Sequence, residues 1–317
     1  MKKALKLIGK ILGVIILLLL IVAAYIQFSA IPTYEAKAPQ LTVTPDSALI
    51  AEGRRLAGMV CNQCHMADNG KLEGKLMADL PKAFGKAWSG NITNDPKYGA
   101  GRYSDGELAY FLRTGVKRDG KYAPPWMPKF PHLSDQDLHS VIAYLRSDAP
   151  EVQASDKQHP AAQPSFLTKL LCRIAFKPLP YPDKPITAPP IEDKVAFGRY
   201  LVTGKVECYS CHSENFATMN MMEPEKTPGY FAGGNPIPNL EGVIINSANL
   251  TKDPETGIGS WTEEQFIQTL KFGKRPDGKP IRYPMVPFGG LSDEEVSTIW
   301  AYLRSLPAVH HQVDRKW

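Results

Sequence analysis

Several things are scarce in this 317-residue chain. Its five cysteines are too few for the dense pattern of a disulfide-stapled mini-protein. No segment keeps up the apolar-polar alternation of a half-buried strand, so the body is expected to be helix and loop. No acidic residue precedes Glu35, and no charge of either sign occurs between Ile11 and Tyr34. Surplus charge is scarce as well. The formal net charge is +5, but four of the 37 Lys and Arg residues are Lys2, Lys3, Lys6 and Lys10, which leaves 33 to face 32 Asp and Glu. So neutral a body lacks the electrostatic footprint of a nucleic-acid binder. The length has room for two domains of ordinary size.

The uncharged run comes first. Ile11 to Phe28 is almost wholly aliphatic, and about 20 apolar residues cross a bilayer core. The four lysines before it place that end in the cytoplasm. Residues 1–30 are therefore expected to form a retained transmembrane anchor. The alternative is a cleaved signal peptide, for which Phe28-Ser29-Ala30 is a poor cleavage site. Either way the body is exported. Residues 31–45, with Pro32, Pro39 and Pro45, read as a spacer.

Four of the five cysteines stand in two copies of one pattern, Cys61-Asn62-Gln63-Cys64-His65 and Cys208-Tyr209-Ser210-Cys211-His212. Cys-x-x-Cys-His is the covalent attachment site of a c-type haem. Each thiol adds to one vinyl group, and the adjacent imidazole then lies under the ring, where it reaches the iron. A zinc site or a thioredoxin-like pair is the competing reading of Cys-x-x-Cys, but neither requires a histidine at the same place twice. Two covalently attached haem c groups are expected.

The motifs belong to a longer repeat. Asn91-Ile92-Thr93-Asn94-Asp95-Pro96 corresponds to Asn249-Leu250-Thr251-Lys252-Asp253-Pro254 at an offset of 158. The offset holds without a gap to Ala143-Tyr144-Leu145-Arg146-Ser147 and Ala301-Tyr302-Leu303-Arg304-Ser305. Upstream, Gly53-Arg54-Arg55-Leu56 matches Gly198-Arg199-Tyr200-Leu201, and the second copy reaches its cysteines two residues later. The copies also differ between histidine and asparagine, 26 residues in the first and 37 in the second.

Helices are expected from Asp46 to Met59 and from Glu192 to Thr203. Others start at Ser104 and Thr262 and, with capping pairs, at Ser134 with Asp137 and Ser292 with Glu295. Leu138, Val141, Ile142 and Leu145 follow at helical spacing, as do Val296, Ile299, Trp300 and Leu303. From Pro150 to Pro190 closely spaced prolines favour extended chain, with a helical turn or more between Ser165 and Phe176. The domains are thus 46–149 and 191–308, joined by a linker at 150–190 and followed by a tail at 309–317.

The repeat also selects the iron ligands. His65 and His212 are the proximal pair. His132 and His139 align with Gly290 and Ser297, so neither serves a role common to both copies. Met127 and Met285 do coincide, each beside a proline, and His/Met ligation is typical of electron-carrying cytochromes c. Met219, Met221 and Met222 have no His or Cys cluster beside them, so packing or docking is favoured over copper. His159, His310 and His311 are expected in solvent, and Cys172 as a buried or idle thiol. Tyr103 and Trp261, which are equivalent, are expected against haem or helix. Asn91 and Asn249 are candidates for hydrogen bonds at the haem edge or at the methionine loop.

On these residues the chain resembles the membrane-anchored cytochrome c family of bacteria with tandem class I domains. The resemblance implies an all-α fold: an N-terminal transmembrane helix, then two class I domains joined by the Pro-rich linker. It also implies crossed terminal helices in each domain, with Gly53 against Tyr144 and Gly198 against Tyr302. Several relatives are cytochrome subunits of periplasmic alcohol or sugar dehydrogenases. The expected function is that of an electron carrier rather than an enzyme. It would be a single-pass protein of the bacterial inner membrane with both haems on the periplasmic side. Its redox partners would be a dehydrogenase or quinol-oxidising complex upstream and an oxidase or soluble cytochrome downstream. The alternative is a dihaem enzyme, a peroxidase or a thiosulfate dehydrogenase. The latter would need a cysteine as distal ligand, and Cys172 is the spare thiol.

Overall fold

A computed structural model of the chain describes residues 2–314; the last three residues of the expected tail lie outside that range. Helix α1 (Lys2–Phe28) is long and apolar enough to cross a membrane. Its side chains are exposed along almost its whole length, except Ile26 in the last turn. The chain is otherwise mostly helical and gathers two hydrophobic cores.

The first core is built on α2 (Ser47–Val60), which starts where the Asp46 carboxylate accepts the Leu49 N–H. A short α3 (Asn62–His65) follows at once, and then the strand pair partner β1 (Gly85–Lys86). Helix α4 (Asp105–Thr114) opens on a reciprocal Ser104–Glu107 capping box and stops at Gly115, whose φ of 82° no side chain with a Cβ adopts easily. Helix α5 (Asp135–Arg146) is capped by Ser134 and crosses α2. A Cβ on Gly53 would strike the Ser140 carbonyl and lie 2.8 Å from the Tyr144 Cβ. The missing side chain is what lets the two helices touch. Leu56, Leu72, Leu138 and Ile142 fill the space around the crossing.

The proline-rich stretch runs along this first unit. Strand β2 (Gln163–Pro164) pairs antiparallel with β1. The turn expected near 165–176 is a full helix, α6 (Phe166–Ile174), with Cys172 buried on its inner side. Farther on, the Leu179 N–H donates to the Thr114 carbonyl, and Ala188 reaches the second core.

The second core repeats the plan. Helix α7 (Lys194–Tyr200) gives way to a π-helical turn at Leu201–Lys205, and then comes α8 (Cys208–His212). The residues added between motif and repeat fold in part as a hairpin of β3 (Pro236–Pro238) and β4 (Ile244–Asn246), with Ile237 opposite Ile245. Helix α9 (Glu263–Phe272) starts on a Thr262–Gln265 capping box and ends at Gly273, and α10 (Asp293–Ser305) starts on a Ser292–Glu295 box. Helix α7 crosses α10 with Gly198 against Thr298 and Tyr302, as the resemblance implied.

The halves meet through equivalent surfaces. Asp137 and Glu295 hold the same place in α5 and α10, as Arg55 and Tyr200 do in α2 and α7. Across the interface Arg55 clasps Glu295 with two bonds of 2.6 and 2.9 Å. In the mirrored position the Tyr200 hydroxyl donates to Asp137 and accepts the Ser134 N–H at 3.0 Å. Gly290 lies against Met59 and, equivalently, Gly204 against the His132 carbonyl. This is the isologous contact of a two-fold dimer, realised within one chain. Lys205, 6% exposed, sits at its centre with Glu52 at 2.8 Å and Asp137 at 3.1 Å.

Candidate functional site

Each motif is set at the end of the helix that crosses the C-terminal helix of its unit. The Cys61 N–H continues the α2 ladder to the Ala57 carbonyl, and α3 then turns the chain so that His65 faces inward. The imidazole is buried, and its Nδ1 lies 2.7 Å from the Gly90 carbonyl oxygen. A carbonyl can only accept, so Nδ1 carries the proton and Nε2 keeps its lone pair free for a metal. The His212 Nδ1 likewise lies 2.9 Å from the Ala248 carbonyl oxygen, and Ala248 stands 158 residues after Gly90. The His65 carbonyl accepts from Gly74 N–H and the His212 carbonyl from Gly233 N–H, both at 2.9 Å. Burial pushes the His65 pKa down, which keeps the ring neutral, as a ligand must be.

The methionine loops are fixed by the same bonds in both halves. Ala123 and Ile281 donate to the carbonyls of Gly115 and Gly273, at 2.8 and 2.9 Å, while Phe130 and Phe288 donate to Leu112 and Leu270, both at 2.8 Å. Between these anchors the Met127 N–H donates to Pro124 and the Met285 N–H to Arg282. The structure gathers Cys208, Cys211, His212 and Met285 around one cavity of about 300 Å³. Phe231, Leu250, Ile258, Trp261 and Phe266 are part of its apolar wall. In the first half Cys61, Cys64 and His65 stand together on the end of α2 and α3, and Met127 occupies the loop equivalent to that of Met285.

The donor set fits a covalently held haem: two thiols, a buried imidazole whose Nδ1 faces a backbone carbonyl, and a thioether on a fixed loop. It does not fit zinc. Among the described residues no three His, Cys, Asp or Glu side chains are gathered as a metal site. Burial pushes the Cys61 and Cys208 thiols up to about 12, so neither is a resting thiolate.

Other residues fall into place. Asn91 Oδ1 accepts from the Thr93 N–H at 2.9 Å and hydroxyl at 2.6 Å, and Asn249 does the same for Thr251 at 2.9 and 2.8 Å. Their amide groups donate to the Ser155 and Val309 carbonyls. Both asparagines therefore tie the segment after the C-terminal helix to the loop behind the proximal histidine. Tyr103 stacks on Phe111, while Trp261 lines the second cavity. Two expectations fail. His159 and His311 are not in solvent: each is half-buried, with its ring bonded to the carbonyl of Glu73 at 2.8 Å and of Ala232 at 3.0 Å. Linker and tail fold back over the haem-motif loops, which composition alone does not reveal.

Three residues escaped the sequence reading. Gln63, between the cysteines of the first motif, lines the second cavity. Tyr283, beside Met285, donates its hydroxyl to Asp79 in the first half at 2.6 Å. Glu207, just before Cys208, has a φ of 52° and lines the second cavity; burial lifts its carboxyl to about 8 against the pull of Lys129. The one available signal was the two-residue delay before the second motif.

Residues 50–148 match the cytochrome c family model. This stretch of the chain is a cytochrome c domain. A cytochrome c domain implies covalently bound haem c. The cytochrome is 32% identical over 305 residues to the cytochrome c subunit of alcohol dehydrogenase (quinone) of Gluconacetobacter polyoxogenes, covering 90% of this chain and 62% of the relative. It is 31% identical over 291 residues to the fructose dehydrogenase cytochrome subunit of Gluconobacter japonicus, covering 84% and 54%. A diheme cytochrome c-type protein of Cereibacter sphaeroides is 27% identical over 259 residues, covering 78% and 82%. The chain thus spans about three fifths of the length of the dehydrogenase subunits it matches.

Proposed function

We propose that this cytochrome is a membrane-tethered, periplasmic dihaem electron carrier that accepts electrons from a dehydrogenase and delivers them to an oxidase or soluble carrier. The observation that carries this reading is the repetition of one donor set. His65 and His212 make the same Nδ1 bond, and Met127 and Met285 sit in loops held by the same three backbone bonds. Bound haem supplies one-electron chemistry. The chain's own part would be to hold each haem through the thiols of Cys61 and Cys64 or of Cys208 and Cys211, to offer His65 and Met127 or His212 and Met285 as ligands, and to keep water out. A full set of protein ligands would suit a carrier better than peroxide chemistry, which needs an open or labile position.

The dehydrogenase as donor is supported by relatives whose names make them cytochrome subunits of alcohol and fructose dehydrogenases. The second haem is supported by the diheme relative, and the tether by α1. The enzyme alternative gains nothing from Cys172, whose thiol burial pushes up rather than towards the thiolate. The test uses the full-length chain in vesicles with a periplasmic dehydrogenase and its substrate. The expected result is reduction of both haems, with no turnover of peroxide or thiosulfate by the chain alone. Rapid thiosulfate turnover that disappears in Cys172→Ala would replace the carrier with an enzyme.

A further inference from the structure

The linker helix α6 is amphipathic in an unusual place. Its Thr168 and Cys172 are fully buried against the first unit, and the Thr168 hydroxyl donates to the Phe84 carbonyl at 2.7 Å. On the other side Phe166, Leu167 and Ile174 are exposed, Ile174 to 66%. Large apolar side chains scattered over a surface need no explanation. These are not scattered, because α6 is bolted to the end of α1. Lys169 donates to the Gln27 carbonyl, and Arg173 donates to the Ser29 hydroxyl and, at 2.7 Å, to the Ala30 carbonyl. The Arg173 guanidinium also lies 5.5 Å from the centre of the Tyr25 ring.

That attachment fixes the height of α6. The uncharged aliphatic stretch from Ile11 to Phe28 is about 27 Å long at 1.5 Å per residue, close to the roughly 30 Å of a bilayer's hydrocarbon core. Lys2 to Lys10 then lie at one face, and Gln27 to Ala30 at the other. A helix held at residues 25–30 lies in that second interface. Its apolar side chains continue the exposed surface of Tyr25 and Phe28, the latter 88% exposed. Lys169, Arg173 and the exposed Lys177 stand at the height of the phosphates, where cations favour anionic lipid.

We propose that α6 is an interfacial helix whose Phe166, Leu167 and Ile174 insert into the outer leaflet of the bilayer that α1 spans. It rests on the reading of α1 as an anchor. A single tether would let the body swivel. A second contact, through a helix that packs on the first unit, holds that unit at a fixed orientation to the lipid. The partner is a phospholipid surface, recognised by apolar side chains beneath a cationic rim.

The test places the full-length chain in nanodiscs whose phospholipids carry a photoactivatable diazirine on the acyl chain, and maps the adducts by mass spectrometry. The expected result is labelling of both the 11–28 and the 166–174 peptides, within about threefold of each other per residue. The β3–β4 hairpin, which exposes Leu240, Val243 and Ile244 but makes no contact with α1 among those described, is the internal control; it should be at least tenfold weaker. Labelling of α1 without α6 overturns the inference and leaves the anchor standing. Labelling of neither removes both. Equal labelling of α6 and the hairpin would mean that adducts follow exposure rather than position, and also overturns it. In a Phe166→Glu/Ile174→Glu variant that retains its haem, α6 adducts should fall at least fivefold while those on α1 persist; an unchanged α6 signal contradicts insertion of these side chains.

Discussion

The first half reaches its motif along 14 unbroken residues of α-helix. The second arrives by seven residues of α-helix, a five-residue π turn and a left-handed Glu207. From Asn91 and Asn249 onward the halves run in register, with helix caps at the same positions and the same glycine stops, and both make the histidine–carbonyl bond. Besides the segment added after the second motif, the difference lies where they face each other. The π turn absorbs the two additional residues and places Lys205 among Glu52, Asp137 and Glu295. A π-helical insertion of this kind re-aims side chains without breaking the helix. It has turned one of two similar units into the donor of a central cation. Similarity preserves the two candidate haem sites, and dissimilarity builds the joint between them.

That comparison can be broken at several points. The largest effect is expected from Cys208→Ala/Cys211→Ala, which should halve the covalent haem per chain as measured by pyridine haemochrome. Loss of both haems would mean the halves do not mature independently. Next, Met127→Ala and Met285→Ala should each lower the potential of one haem, on the order of 0.1 V or more, and open that haem to carbon monoxide. Redox titration and ferrous-CO difference spectra read this, and equal shifts in both haems from either variant would contradict separate ligand sets.

The joint itself comes third. Lys205→Ala leaves three carboxylates of the interface facing one another and should cost about 3–5 kcal/mol in urea unfolding. Arg55→Ala, which removes a half-exposed partner of Glu52 and Glu295, should cost on the order of 1 kcal/mol. Equal losses would mean that Lys205 is not the central group. The smallest effect is in pH. Burial alone would raise the Glu52 carboxyl, but Arg55 and Lys205 together hold it at about 2. A carboxyl lowered on folding contributes stability that is complete above its unfolded pKa of roughly 4.3 and fades as pH falls towards 2. Allowing for its partial exposure, this is on the order of 2 kcal/mol. Urea midpoints between pH 6 and pH 3 should therefore fall less in Glu52→Gln than in the parent; parallel slopes would remove Glu52 from the network.

Much of this was legible in the sequence because the signals are local. Ser104, Ser134, Thr262 and Ser292 announce helix starts through bonds to residues three places on. Gly53 and Gly198 are placed at close crossings by the family resemblance, and the structure gives the reason: a side chain there has no room. Cys-x-x-Cys-His carries its own chemistry. The remainder depends on contacts far apart in the chain. Lys205 looks like any surface lysine until the carboxylates of α2, α5 and α10 surround it. Gln63 reads as a spacer between cysteines until the second half closes over it. His311 reads as part of a loose tail until its ring bonds the Ala232 carbonyl. Helix α6 is expected as a helical turn or more, but its bonds to the end of α1 and to the Phe84 carbonyl are not legible because those partners lie far away in the chain.

The most direct measurement is the mass of the full-length chain, matured with a working haem-attachment system and analysed under denaturing conditions. Two haems bound through His65 and His212 with their cysteine pairs predict a mass increase of two haem groups, resistant to acid-acetone extraction. An increase of one group, or a colourless chain, would contradict the account.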